Sequence, residues 1–345
     1  MKDELEAVCA EALKLKAPPQ NVIYLCAGTG CRASGAMALA EAMKAEIAEK
    51  GLQDTVLLKL TGCHGFCEKG PLVVHDPTGT FYQNLKPGDV KEVLETTIEA
   101  GDVVERLLYR KPGTDEMVEL EKDIPFYKNQ KRLVFDLNGR IDPLSISDYM
   151  AQGGYQALSK ALCMDPQAVL EEVKQANLRG RGGGGFPAGR KWQSCRNAPA
   201  PDGIRYIICN ADEGDPGAFM DRSVIEGNPH RVIEGMLIGA WAIGGTDGYV
   251  YIRHEYPLAV ETLTRAIEDA RRHGFLGDDI LGSGLSFDIR INRGGGAFVC
   301  GESTALMASL EGEVGEPMAK HIHTVEQGLY HRPTTLNNVE TWANV

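Results

Sequence analysis

The stretch Leu178-Arg-Gly-Arg-Gly-Gly-Gly-Gly-Phe-Pro-Ala-Gly-Arg-Lys-Trp192 gathers six glycines (Gly180, Gly182, Gly183, Gly184, Gly185, Gly189) and four cations (Arg179, Arg181, Arg190, Lys191) into fifteen residues. Glycine permits positive φ and close backbone approach, and consecutive N–H groups can converge on phosphate oxygens. The stretch is a candidate anion cradle. It contains G-x-G-x-x-G, from Gly180 through Gly182 to Gly185, but a dinucleotide fingerprint should follow a strand and open a helix. Here Asp165–Asn177 precedes it with the spacing of an amphipathic helix, so the ordinary fingerprint fails its context. A flexible glycine hinge is the rival reading.

The whole chain has 345 residues, 43% hydrophobic and 24% charged, enough for two or three domains with proper cores. A net charge of −12 argues against nucleic acid and anionic membrane as partners and makes the basic cluster near 180 a local exception. No early cationic region leads into an apolar signal core, and the apolar run 232–245 is short and glycine-broken. The expectation is a soluble, cytoplasmic protein, whose nine cysteines serve as metal ligands or buried thiols rather than disulfides.

Four cysteines form a pattern. A strand at 21–25 runs into Cys26-Ala-Gly-Thr-Gly-Cys31, a helix is expected over 36–50, and a strand at 55–60 delivers Gly62-Cys63-His-Gly-Phe-Cys67. C-x4-C, thirty-one residues, then C-x3-C presents four thiolates on two glycine turns, suited to zinc or an iron–sulfur cluster; the x4 loop fits two irons better than a zinc knuckle. A hairpin across 72–82 and a helix over 87–100 complete the unit. Cys26–Cys31 and Gly62–Pro71 resemble the thioredoxin-like [2Fe-2S] ferredoxins, which implies Cys26, Cys31, Cys63 and Cys67 as cluster ligands. Cys9, Cys163, Cys195, Cys209 and Cys300 are scattered and read as buried thiols.

The polar, Pro- and Gly-marked stretch after residue 108 lacks an apolar period and reads as a linker, giving expected domains at 1–108 and 136–345 with 109–135 between them. Beyond it, strands at 204–210, 248–252 and 286–291 alternate with helices at 229–243 and 257–273. That alternation predicts α/β architecture with a Rossmann-like parallel sheet, whose ligands belong at the carboxyl ends of the strands. The loops 210–217 and 292–302 leave two of those ends. Asn210, Asp212 and Glu213 can accept hydrogen bonds from a ligand there, with helix capping as the competing role.

Gly180–Phe186 with Lys191, Cys209–Gly217, Cys300–Leu306 and Pro333–Thr341 together resemble the NADH-oxidising FMN subunit of respiratory complex I and its soluble relatives, the diaphorase subunits of hydrogenases and formate dehydrogenases. The resemblance covers roughly residues 125–345. It implies FMN held by Gly180, Gly182, Gly183, Lys191, Asn210, Asp212, Glu213, Phe298, Gly301, Glu302, Asn337 and Asn338. It implies NAD(H) packed on Phe186 near Lys320, Glu302 and Asp215 as the acids that tune the reaction, and partner subunits carrying further iron–sulfur clusters. The chain departs from the pattern at Ser303, Asp215, Ser194 and His323, which opens NADP(H) as an alternative nucleotide, with Arg190 placed for a 2′-phosphate. The family's C-terminal β-rich and four-iron cluster domains are expected to be absent from this chain or carried on another polypeptide. The function expected is an NAD(P)H:acceptor oxidoreductase subunit, with or without electron bifurcation. An electron-transfer or assembly module with a decayed nucleotide site is the alternative, and a thiol–disulfide oxidoreductase is a more distant one.

Overall fold

The computed structural model describes residues 19–319 and 323–345, and the chain divides between Pro143 and Leu144 into two compact units. In the first, β1 (Asn21–Cys26), α1 (Thr29–Ala33), α2 (Ala36–Glu49), β2 (Val56–Thr61), β3 (Val73–Asp76) and β4 (Thr80–Tyr82) build a sheet of order β2-β1-β3-β4. β1 runs parallel to β2 with Cys26 opposite Thr61, so both cysteine loops leave the sheet at one edge. β3 and β4 follow as an antiparallel hairpin. α2 lays Leu39, Ala40, Met43 and Ile47 on the core, the spacing of one helix face. The helix expected over 87–100 forms as α3 (Val90–Val93), continued by a wider π turn over Leu94–Glu99.

The stretch expected as a linker is folded onto this unit. β5 (Tyr109–Arg110) pairs with β6 (Met117–Val118), and Phe81 N donates to Glu119 O at 2.8 Å. Past them lies α4 (Pro125–Lys128), where Phe126 stacks on Phe66 at 4.4 Å and 5°. The segment is too irregular to show a period, yet Val118 and Ile124 belong to the core cluster of the first unit, and Phe126 and Tyr127 pack against it. Full burial of Ile124 alone stabilises by roughly 1.5–3 kcal/mol, which a solvated linker would forgo.

The second unit opens with α5 (Ile146–Ala151), α6 (Gln156–Leu162), α7 (Pro166–Gln175) and α8 (Ala188–Asn197). It continues with β7 (Tyr206–Ala211), α9 (Met220–Gly227), α10 (Pro229–Ile243), β8 (Asp247–Arg253), α11 (Pro257–Arg272), β9 (Asp288–Gly294), α12 (Ser303–Leu310), β10 (Thr334–Asn338) and α13 (Val339–Ala343). All strand pairs in the sheet β10-β7-β8-β9 are parallel, as the alternation of strands and helices predicts. The last strand in sequence therefore sits beside β7, which brings Asn337 level with Cys209 and Asn338 level with Asn210.

Two glycines on α10 make that placement possible. A Cβ on Gly235 would lie 2.0 Å from Trp342 O, and one on Gly239 2.5 Å from the Trp342 ring. Trp342 stacks on Trp192 at 5.4 Å and donates its Nε1–H to Ile208 O at 3.1 Å. The glycine loop's following helix, β7 and β10's end are thus joined through one buried indole pair. Of the scattered cysteines, Cys195, Cys209 and Cys300 are buried, as expected, but Cys163 is exposed because it falls at the C-cap of α6. Cys9 lies outside the described residues.

Candidate functional site

Each unit carries a site at the end of its parallel strands. In the first, Cys63 Sγ and Cys67 Sγ lie 3.7 Å apart, and the Cys26 thiol is in hydrogen-bond contact with those of Cys31 and Cys63. The four cysteines expected as ligands therefore meet. Among the described residues, no group of three or more His, Cys, Asp and Glu is set to hold a single metal ion. Thiols meeting pairwise across two loops suit two irons bridged by sulfide. Glycines enforce the approach: a Cβ on Gly28 would lie 2.9 Å from Cys63 Cβ, and one on Gly30 2.9 Å from Cys67 Sγ. The hydrogen bond to Cys31, with burial, pushes the Cys26 thiol up to about 12, and its bond to Cys26 pushes Cys63 up to about 11. Iron bound there would hold these sulfurs as thiolates, in place of their protons.

In the second unit, the loops leaving β7, β8, β9 and β10 gather with the glycine loop. That loop is tied at its base, Gly180 N donating to Phe186 O at 2.9 Å, and to α13, Arg181 N donating to Thr341 Oγ1 at 3.0 Å. Gly182 lies against Asn338, where an added Cβ would stand 2.8 Å from Oδ1. Gly183 takes φ +88°, which favours glycine, and Gly184 has open space above it. The result is bare, exposed backbone. Below it the Lys191 ammonium donates to Leu336 O at 2.7 Å and to Asn337 Oδ1 at 3.2 Å. Asn337 is 2% exposed, and its Nδ2 has no hydrogen-bond partner. A buried amide donor left unmet costs roughly 1–3 kcal/mol, so a polar ligand is wanted there.

On the far side, Asn210 Nδ2 donates to Gly301 O at 3.0 Å and joins the acidic loop to the 298–302 turn. Asp212 is ion-paired with Arg253 at 2.8 Å; burial still raises its pKa, against the pull of that guanidinium. The Glu213 carboxylate accepts from Met220 N, Asp221 N and Arg222 N and so caps α9, while Glu302 accepts from Thr304 N and Ala305 N and caps α12. Both acids are held rigidly by helix amides. Asp215 is exposed on the loop, and Phe298 stands 66% exposed beside Gly214. Phe186 is half-exposed, with the Arg190 guanidinium 5.6 Å from its ring. Ser194 and His323 are both exposed, and Lys320 lies outside the described residues.

Two residues of this site were not singled out from the sequence. Arg253, at the end of β8, also donates to Glu255 at 2.7 Å and to Gly296 O at 2.9 Å, clamping the acidic loop to the glycine-rich loop after β9. Tyr256 donates its hydroxyl to Glu213 O at 2.6 Å. The signal available was position: an arginine at the carboxyl end of a parallel strand, between two loops already suspected. Beneath the loop, burial first and the nearby Glu213 charge second raise Asp221 to about 7.

Residues 173–345 match the family model of the Nuo51 FMN-binding domain, and residues 11–97 that of the thioredoxin-like [2Fe-2S] ferredoxin. The alpha subunit of the NAD-reducing hydrogenase HoxS of Cupriavidus necator is 34% identical over 94% of this chain and 52% of its own length. A subunit of the NADP-reducing hydrogenase of Solidesulfovibrio fructosivorans is 53% identical over 63% of this chain and 44% of its own. An NADH-quinone oxidoreductase subunit of Aquifex aeolicus is 52% identical over 58% and 46%. A crystal structure of NAD+-reducing [NiFe]-hydrogenase aligns over 99% of this chain and 55% of that one, at 27% identity and a TM-score of 0.51. The chain thus spans about half the length of the curated relatives it matches. The residues present fit both cofactors: the four meeting thiols a two-iron cluster, and the bare glycine backbone with the unmet Asn337 amide a flavin nucleotide. The chain belongs to the Nuo51-type FMN-binding family, here preceded by a thioredoxin-like [2Fe-2S] ferredoxin domain.

Proposed function

We propose that this chain is the nucleotide-reacting part of an NAD(P)H:acceptor oxidoreductase, working in a multisubunit assembly with other iron–sulfur subunits. The observation that carries the reading is the Asn337 amide, buried and unmet beside the Lys191 ammonium and next to Asn338, which meets the exposed glycine backbone at Gly182. FMN bound there would supply the chemistry, taking a hydride from a nicotinamide and releasing its electrons singly. The chain's residues do the rest. Gly182, Gly183 and Gly184 offer N–H groups and space, Lys191 and Asn337 fix the polar end, and Arg253 keeps the two opposing loops in register. Asn210, Asp212, Gly301 and Asn338 line the same strand ends, and half-exposed Phe186 offers a ring face to the nucleotide. Glu302 and Asp215 are the acids nearest to tuning the flavin, Glu302 oriented by the α12 amides.

Relatives named for NAD, NADH and NADP chemistry all match this chain, so both nucleotides belong in the test. We assign the terminal enzyme to the class of hydrogenases, formate dehydrogenases and similar reductases. That assembly either bifurcates, sending the two electrons of one donor to two acceptors of unlike potential, or serves a single acceptor. We place that assembly in the cytoplasm; no helix among the described residues is long and apolar enough to cross a membrane. The test is reduction of an artificial one-electron dye by NADH or NADPH. The FMN-loaded chain should turn over with at least one nucleotide, and the FMN-free chain with neither. Equal rates with and without FMN would sink the proposal and favour a carrier or assembly role.

A further inference from the structure

The segment between the two family matches reaches into the cluster site. It begins beyond residue 97, where the ferredoxin match stops, and its residues 119–140 wrap the second cysteine loop. Glu121 faces His64 Nδ1 at 3.2 Å, and its other oxygen takes Arg140. Arg132 donates to His64 O at 2.8 Å, and the Phe126 ring lies over Gly65, 3.6 Å from where a Cβ would stand. His64 and Gly65 lie between the ligands Cys63 and Cys67.

Within this wrap Tyr127 is fixed on every side. Its ring meets Phe66 edge-on at 5.8 Å, Phe81 at 5.8 Å and Phe126 at 5.1 Å, with the Arg132 guanidinium 4.9 Å from its centre. The packing leaves the hydroxyl buried and without a hydrogen-bond partner. Burial first and the Glu121 charge second push that phenol up, against the pull of Arg132, so the hydroxyl stays a donor. The Tyr127 ring also meets the His64 ring edge-on at 6.4 Å, beside the ligand Cys63. Leaving such a donor unmet costs roughly 1–3 kcal/mol. The acceptor that a bound cluster would add beside this loop is sulfide.

We infer that the Tyr127 hydroxyl donates a hydrogen bond to a bridging sulfide of the [2Fe-2S] cluster and thereby raises the cluster's reduction potential. A donor to sulfur stabilises the more negative, reduced state, and hydrogen bonds to the sulfurs are among the determinants of cluster potential. Tyr127 is a positioning and tuning residue, distinct from the four ligands, and the inference rests on those thiols holding the cluster.

The experiment is a redox titration of the full chain with Tyr127→Phe, following the reduced cluster by EPR at matched iron and sulfide content. The expected result is a lower midpoint, with the oxidised-to-reduced ratio at fixed poise rising about tenfold, equivalent to about 59 mV for one electron. A loaded variant with an unchanged or higher midpoint overturns the inference. Should the variant fail to hold iron, the wild-type chain decides: with tyrosine labelled by oxygen-17, the reduced cluster should show a hyperfine coupling to that oxygen, and its absence overturns the inference. A wild-type chain without iron and sulfide would instead sink the cluster reading itself.

Discussion

Cys26, Cys31 and Cys63 are buried and Cys67 partly so, whereas Arg181, Gly182, Gly183 and Gly184 of the other site are exposed. The first site is closed over by its own chain, through Phe66, Phe126, Tyr127 and the Glu121–His64 contact. The second keeps bare backbone facing solvent, with Phe186 and Phe298 half-exposed or more. On the proposed function, the difference follows the traffic each site would carry. A cluster exchanges only electrons, which need no opening, and a dry surround strengthens every dipole aimed at its sulfurs. A flavin that takes hydride must admit a nucleotide and release it, so its cradle stays open.

If the first site is packed shut, it should fail abruptly. Gly28→Ala puts a methyl 2.9 Å from Cys63 Cβ and 3.1 Å from its Cα, where backbone cannot yield cheaply. Iron and sulfide retention should fall by at least about tenfold. Normal loading would show that the closed site is softer than its geometry.

The next effect concerns charge beneath the open cradle. Asp221, raised from 3.8 to about 7, holds its proton in the folded state over a range where the unfolded chain has lost it. The native state then binds more protons, so stability falls as pH rises from about 4 to about 7, and the full cost is present above that. Asp221→Asn removes the titration while keeping an acceptor for Glu340 N. The variant should gain up to roughly 4 kcal/mol relative to wild type between pH 4 and pH 8, an upper bound from the size of the shift. Parallel denaturation profiles for the two chains would contradict the assignment.

Arg253 comes third. Its side chain is 11% exposed and that of Asp212 2%, so Arg253→Met strands a buried carboxylate and releases Gly296. The expected loss is about 3 kcal/mol of stability, the lower end for a broken buried pair because the site is open, together with weaker FMN binding. Unchanged FMN affinity would mean that the clamp serves folding alone. The smallest effect sharpens the contrast with Gly28. Gly184→Ala, with nothing within 4 Å of the new methyl, should change stability by less than about 0.5 kcal/mol and yet weaken FMN binding. A lowered Tm without a change in FMN affinity would make that loop packed structure rather than cradle.

Much of this was legible in the chain itself, for identifiable reasons. Each cysteine pair follows a strand onto glycine turns, and strands alternate with helices at crossover spacing; both are local patterns, and both hold. The closing segment was not legible, because Ile124, Phe126 and Tyr127 acquire meaning only from Phe66 and Phe81, more than forty residues away in sequence. The roles of Glu213 and Glu302 were half legible. Their motifs place them at the site, but only the folded backbone shows that α9 and α12 amides hold their carboxylates. Arg253 lay in plain view at a strand end, but its partners sit on two other loops, and no spacing along the chain encodes that meeting.

The most direct test of an open, hydride-accepting cradle is an anaerobic spectrophotometric titration of the FMN- and iron-loaded chain with NADH and then NADPH. The account predicts that at least one nucleotide bleaches the flavin band stoichiometrically and that the same nucleotide leaves an FMN-depleted chain, cluster included, oxidised. A flavin that dithionite reduces but neither nucleotide touches would contradict it, as would cluster reduction by nucleotide without FMN.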